Sequence, residues 1–155
     1  MKLDFIKDAF LEIKTKISTD GETITLFNPH SKENIVVDYE FFTSIDNSDS
    51  FERYTAQFSY QHRNFSEESE VLEWINGVIN NTILAIEMFK GRKKCGGGEL
   101  HFSNMDNLND DINEYCLKFL DADSFKIRSW NCTNNYSGCI IKKEDNKNLI
   151  ILVQA

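Results

Sequence analysis

The amino-acid sequence predicts an α+β fold built on a mainly antiparallel sheet with three helices. Predicted strands come in consecutive groups, whereas in a parallel α/β fold they would alternate with helices. The predicted order is α-βββ-α-ββ-α-βββ, and polar turn sequences separate the strands within a group. Because 155 residues is the usual length of one domain, we expect a single α+β domain over residues 1–155.

Three amphipathic segments predict the helices. The first covers residues 2–17, where apolar side chains recur at steps of three and four and form one stripe. The second runs from Ser66, a good N-cap, to about Asn80, a residue type that tolerates the left-handed conformation of a helix end. The third has apolar side chains at helical spacing at the following positions: Leu108, Ile112, Tyr115, Cys116, Phe119 and Leu120.

Residue alternation predicts the strands. Residues 23–27, 34–43 and 53–63 should form an antiparallel meander, the third strand having one buried and one solvated face. The mostly apolar segment Thr82–Phe89 is predicted to be central in the sheet, with residues 99–103 returning as its partner. The last three strands are expected at the following positions: 125–131, 138–143 and 149–153.

Charge restricts the possible partners. The chain has 25 acidic and 17 basic side chains and a formal net charge of −8. Such a surface repels free nucleic acid, because nucleic-acid binding relies on Lys and Arg displacing counterions, and it attracts basic proteins. The charged start of the chain is not a signal peptide, and no apolar run is long enough for a membrane span. We therefore expect a cytoplasmic protein that does not bind membranes, with its four cysteines reduced.

No residue pattern predicts a catalytic site, a metal site or a cofactor. The basic, glycine-rich segment Lys90–Gly98 lacks the lysine and hydroxyl residue that complete a P-loop, so a flexible hairpin loop is the plain interpretation. An alternative is a small enzyme or ligand-binding domain that uses this loop to hold a phosphate. The three histidines, His30, His62 and His101, are not grouped as metal ligands would be.

In its small size, acidity, predicted α+β layout and lack of a catalytic set, the chain resembles the bacterial immunity proteins of contact-dependent and other polymorphic toxin systems. The abundance of Asn, Ile and Lys is typical of an AT-rich bacterial genome. The resemblance implies a protein-binding inhibitor that neutralises a cognate toxin domain, often a nuclease, by covering its active site. Carboxylates would pair with Lys and Arg of the toxin, and a few aromatic side chains would anchor the interface.

Two acidic segments are candidate partner-binding surfaces. The first choice is the third helix and the residues that follow it, namely Asp106, Asp110, Asp111, Glu114, Asp121 and Asp123. The second is the polar loop before the third strand, with Asp46, Asp49 and Glu52. The oligomeric state stays open, and self-association through an edge strand over residues 149–153 is a further alternative.

Overall fold

The fold is α+β, as predicted. A computed structural model describes residues 1–118, 122–142 and 148–154. These residues form three helices and ten strands, and the strands make two antiparallel five-stranded sheets. The chain divides into two compact units, Met1–Gly77 and Val78–Ala155, each with its own sheet. Within the described ranges, every helix is too short or too polar to cross a bilayer.

The first unit is a meander in which each strand pairs with the next along the chain. Its elements are α1 (Asp4–Ala9), β1 (Thr15–Ile17), β2 (Thr23–Leu26), β3 (Ile35–Thr43), β4 (Ser50–Phe58), β5 (Gln61–Phe65) and the start of α2 (Glu68–Ile79). One face of the sheet is buried, where Ile24, Val37 and Ala56 lie side by side on neighbouring strands. The expected meander over residues 23–63 is therefore confirmed, with an additional strand at each end.

The predicted helix over residues 2–17 is wrong beyond Ala9. Leu3 and Ile6 of the apolar stripe are fully buried, but the helix ends at Ala9. Phe10, with φ of −124° and ψ of 57°, lies outside the helical region. Residues Thr15–Ile17 instead form β1 and pair with β2. The reason is that Thr15 and Ile17 are β-branched and restricted in a helix, whereas a strand accommodates them.

The single strand predicted over residues 53–63 is two strands. A tight turn after Phe58 separates β4 from β5, and Ser59 in this turn has a positive φ of 54°. Phe58 then pairs with Gln61, which is buried. The alternation of apolar residues continued through the turn in the sequence and concealed it, since Ser59 is not a typical left-handed residue.

The second unit has the strand order β10-β9-β8-β6-β7. Its elements are β6 (Ile83–Lys90), β7 (Lys93–His101), α3 (Met105–Lys118), β8 (Ser124–Arg128), β9 (Tyr136–Lys142) and β10 (Asn148–Gln154). Strand β6 lies between β8 and β7, so its predicted central place is confirmed. Helix α3 contacts β7 and β10. Its Leu108 and Ile112 are fully buried in one apolar cluster with Ile86 and Phe125.

The segment Lys90–Gly98 is not an open loop. Only Gly91 and Arg92 form the turn, and β7 begins at Lys93. The glycines of residues 96–98 lie inside β7, paired with residues 86–88 of β6. A Cβ atom on Gly97 would lie 2.7 Å from the carbonyl oxygen of Ile86, so glycine permits a close approach of two backbones here. The sequence cluster therefore has a packing role in the sheet.

Candidate protein-binding surfaces

The α3 acidic face consists of Asp106, Asp110, Asp111 and Glu114. Asp106, Asp110 and Glu114 follow one another at intervals of four residues and are exposed, so they form one row along the helix. Asp111 lies beside this row and is half-buried. The structure thus brings together four of the six carboxylates predicted for this surface.

Local hydrogen bonds explain where α3 begins. The Asn104 side chain accepts a hydrogen bond from the backbone N–H of Asn107 at 2.9 Å, as an N-cap does. The Asn107 side chain in turn accepts one from the backbone N–H of Ser103 at 3.2 Å. Leu108 and Ile112 then face the core. The cap and the two buried residues fix which side of the helix the acidic row occupies.

Burial and repulsion between carboxylates act together on the α3 acidic face. The pKa of the Asp111 carboxyl is raised, first by burial and next by the negative charge of Glu114, with a smaller contribution from Asp110. His101 opposes this shift. Within the described part of the chain, none of the four carboxylates has an ion pair or a hydrogen bond through its side chain. Among the described residues, the face is therefore a negative surface whose carboxylates form no ion pair.

Asp123 belongs to the fold as well as to the predicted acidic segment. Both of its carboxylate oxygens accept a hydrogen bond from the backbone N–H of Gly91, each at 3.1 Å. Its own backbone N–H donates to the carbonyl oxygen of Phe89 at 2.8 Å. Asp123 thereby fastens the β6–β7 turn, a role that the sequence did not indicate. Asp121 lies outside the described residues.

The second predicted surface is the turn of the β3–β4 hairpin. Asp46 organises this turn by accepting hydrogen bonds from Ser44 Oγ at 2.7 Å, Ser48 Oγ at 2.7 Å and the Ser48 backbone N–H at 3.1 Å. These bonds, with Ser44 first, lower the pKa of Asp46 to about 2. Asp46 therefore stays ionised at neutral pH although it is bonded internally. Asp49 is exposed at the other side of the turn.

Glu52 is used inside the first unit. Its Oε1 accepts hydrogen bonds from Lys2 Nζ and, at 2.9 Å, from the Tyr39 hydroxyl. The bond from Lys2, followed by that from Tyr39, lowers the pKa of Glu52. This carboxylate joins the start of the chain to the sheet. It is thus already neutralised by Lys2, unlike Asp49 at the turn.

Exposed aromatic side chains surround the same turn, and the sequence reasoning missed them. We call residues Phe41–Phe51 the hairpin tip. Phe42 and Phe51 are directly opposite in the β3–β4 register, and their rings stack at 4.9 Å between centroids with an angle of 16°. Arg53 lies over the Phe42 ring at 4.7 Å and forms an ion pair with Glu40 at 3.2 Å. These contacts hold the aromatic residues in place beyond the buried part of the sheet.

The hairpin tip has apolar side chains on both faces and at its end. Phe41 and Phe51 are each 58% exposed, and the Ile45 side chain is fully exposed in the turn. Because neighbouring residues in a strand point to opposite faces and Phe51 is paired with Phe42, Phe41 lies on the face opposite to Phe51. Large apolar side chains gathered at a projecting hairpin are typical of interaction sites. The consecutive pair Phe41-Phe42, which breaks the alternation of β3, was the available signal.

The other candidate chemistry of the sequence is not assembled into a site. His101 lies 3.2 Å from Glu99 in an exposed pair. Among the residues that the structure describes, no three His, Cys, Asp or Glu side chains are grouped as metal ligands. Cys95, Cys132 and Cys139 are free thiols.

Comparisons with models of protein families, with curated proteins and with solved structures find no match to this chain. The α3 acidic face and the hairpin tip are therefore defined by the geometry of this chain's own residues. The hairpin tip is the stronger candidate, because it combines exposed carboxylates with exposed aromatic side chains.

Proposed function

We propose that this protein is a protein-binding inhibitor that inserts its hairpin tip into a basic cleft of its partner. The observation that carries the proposal is the exposure of Phe41, Ile45 and Phe51 on the two faces and at the end of one hairpin. A cleft lined on both sides would bury all three at once. Aromatic side chains in such places usually provide most of the binding energy of an interface.

The negative charge of this protein supports a basic partner. Asp46 and Asp49 lie at the end of the hairpin tip, and Asp46 stays ionised because of its low pKa. The net charge of −8 adds a long-range attraction for a basic protein and speeds association at low salt. The α3 acidic face contributes to this field, since its carboxylates form no ion pair among the described residues.

An immunity protein that covers the active site of a bacterial toxin domain needs both an apolar anchor and negative charge at its binding surface. Nucleases in particular have basic clefts that bind phosphate groups. Two carboxylates at the end of a narrow hairpin can take the place of such phosphates. The proposed role is therefore neutralisation of a cognate toxin, and a nuclease domain is the class of toxin that fits this charge.

Co-expression tests the function. If a large secreted protein is encoded directly upstream of this chain, its C-terminal domain is the toxin to co-express. We expect the full chain to restore growth to cells that express this domain. The charge reversal Asp49→Lys should reduce the rescue, whereas Asp8→Lys, an equal change of charge at an exposed position on α1, should not. Equal rescue by both variants, or toxicity unaffected by the wild-type chain, would contradict the proposal.

Sizing chromatography separates this function from self-association. An apolar hairpin can also join two copies of the same chain. We expect a constant elution volume over a hundredfold range of protein concentration. A dimer that Phe51→Ser abolishes would assign the hairpin tip to a homodimer contact and would contradict its assignment to a toxin.

A further inference from the structure

The face of the second sheet opposite to α3 contains an open pocket with a volume of about 460 Å³. The strand register defines this face. Met88 and Phe125 are paired and belong to the buried cluster that includes α3 residues, so the neighbouring pairs lie on the other face. Phe89 is paired with Ser124, Ser124 with Cys139, and Cys139 with Ile151. A row across four strands thus lines the pocket.

Apolar side chains form one part of the lining. Phe89 is half-buried there, and Ile151 and Val153 on the edge strand β10 are 42% and 59% exposed. The volume lies within the range of pockets that bind small molecules. An apolar group of a ligand would cover these side chains and remove them from water, which is favourable in proportion to the area covered.

Two cations form another part of the lining, Arg92 and Lys126. The Lys126 ammonium lies 5.4 Å from the centroid of the Phe89 ring. Neither cation has an ion pair within residues 1–118, 122–142 and 148–154, although Lys94 in the same hairpin has Glu87 at 3.7 Å. The nearest carboxylates have other partners: Glu87, opposite Lys126 in the strand register, pairs with Lys94, and Asp123 accepts hydrogen bonds from the Gly91 N–H. Among the described residues, Arg92 and Lys126 are therefore cations at the pocket that have no ion pair.

The turn that carries Arg92 is fixed. Gly91 has a positive φ of 59°, and its N–H donates to both oxygens of Asp123 at 3.1 Å. Asp123 immediately precedes Ser124 of β8, so this bond joins the turn to the strand that bears Ser124 and Lys126. The backbone at Arg92 is thereby held at the border of the pocket before any ligand arrives, which lowers the ordering cost of binding for the turn.

We propose that this pocket binds a small amphipathic anion. The apolar part of the ligand lies against Phe89, Ile151 and Val153, and its acidic head group, a carboxylate or a phosphate, lies between Arg92 and Lys126. Ser124 and Ser137, which also line the pocket, can donate hydrogen bonds to the head group. This site is independent of the proposed inhibitor function, since it uses no residue of the hairpin tip.

Calorimetric titration of the full chain with four probes tests the chemistry of the ligand. Octanoate and octyl phosphate carry both parts, 1-octanol carries only the apolar part, and inorganic phosphate carries only the charge. We expect at least one of the two amphipathic anions to bind ten or more times more tightly than octanol and inorganic phosphate. The tighter of the two anions identifies the head group. Equal affinity for octanol, or no binding of either anion, would overturn the proposal.

Substitutions at the cations locate the site. Hydrogen bonds to charged groups contribute enough that Arg92→Met and Lys126→Met should each weaken binding of the better anion about 10- to 100-fold. Lys93→Met is the matched control, because Lys93 lies in the same hairpin but does not line the pocket, and its affinity should stay within about twofold of wild type on that scale. Unchanged affinity in both pocket variants, or an equal loss in the control, would overturn the assignment.

Cysteine alkylation provides a readout that does not depend on variants. Cys139 lines the pocket and is exposed, and Cys95 is exposed in β7 and is not part of the lining. We expect a saturating concentration of the better anion to slow alkylation of Cys139 by iodoacetamide and to leave Cys95 unaffected, as resolved by peptide mass. Equal rates at Cys139 with and without the anion would contradict binding in this pocket.

Discussion

Asp110 lies at the centre of the row of carboxylates on α3, and replacing it by lysine should stabilise the protein. Asp110 has Asp106 four residues before it and Glu114 four residues after it. Each like-charge pair at this spacing costs a helix about 0.2–0.5 kcal/mol, and each opposite-charge pair contributes a similar amount. Asp110→Lys converts both like-charge pairs into opposite-charge pairs. The expected gain in the free energy of unfolding is about 1–2 kcal/mol, with the lower end favoured because lysine before glutamate is the weaker orientation.

Urea unfolding followed by the fluorescence of the buried residues Trp74 and Trp130 measures this gain. In 20 mM salt, Asp110→Lys should raise the free energy of unfolding by about 1 kcal/mol, and Asp110→Asn should give about half of that, because it removes repulsion without adding attraction. In 1 M salt the Debye length is about 3 Å, so most of the difference between the two variants should vanish.

A control variant separates the effect of the row of carboxylates on stability from the effect of the net charge. Glu12→Lys makes the same change of net charge at an exposed position outside α3, and it should change the free energy of unfolding by less than about 0.5 kcal/mol. An absence of stabilisation by Asp110→Lys at low salt would refute the view that the carboxylates of the α3 acidic face repel one another. A gain of the same size at both salt concentrations would refute its electrostatic origin.

Two other predictions concern the hairpin turn and the second sheet. Since the pKa of Asp46 is lowered from 3.8 to about 2, its hydrogen bonds stabilise the fold above pH 4, and this contribution is lost as the pH falls towards 2. The free energy of unfolding, measured from pH 6 to pH 2, should show this loss in the wild type and not in Asp46→Asn. Identical pH profiles of the two proteins would contradict the prediction. Gly138→Ala should destabilise the protein by about 3 kcal/mol in urea unfolding, because the added Cβ would overlap the Ile151 carbonyl oxygen and the buried Phe125 ring. Gly91→Asn should lower the free energy of unfolding by less than about 1 kcal/mol, because no atom lies within 4 Å of the added Cβ and asparagine tolerates the positive φ. A larger loss of stability at Gly91 than at Gly138 would refute the packing argument.

Much of the fold could be predicted because burial leaves a periodic pattern. The central place of β6 followed from its continuous apolar run, and the end of α2 from Asn80-Asn81, where Asn81 has a positive φ of 60°. The first helix was predicted too long because a stripe at steps of three and four does not register the strand preference of Thr15 and Ile17. The turn at Ser59 left no signal, since the side chains on either side of it continue the alternation.

The candidate surfaces were predicted in part. Counting carboxylates located the α3 acidic face and the hairpin turn, but it did not separate Asp49, which is exposed, from Glu52 and Asp123, which hold the fold. Internal partners such as Lys2 are 50 residues away in the sequence. The exposure of Phe41 was missed because a phenylalanine in a predicted strand is expected to be buried, although the consecutive pair Phe41-Phe42 was a signal against this. Phe51 preceded the predicted third strand and was not considered. Whether such a side chain is exposed depends on where the buried part of the sheet ends, which the sequence does not show.

The affinity of the Phe51→Ser variant for a toxin domain that the wild-type chain neutralises tests the proposed function most directly. A central aromatic residue of an interface is worth about 2 kcal/mol or more, so its loss should weaken binding about 30-fold or more. Leu11→Ser is the matched control, because Leu11 is 81% exposed and lies outside the hairpin tip, and it should leave the dissociation constant unchanged. A Phe51→Ser variant that binds as tightly as the wild type would contradict insertion of the hairpin tip.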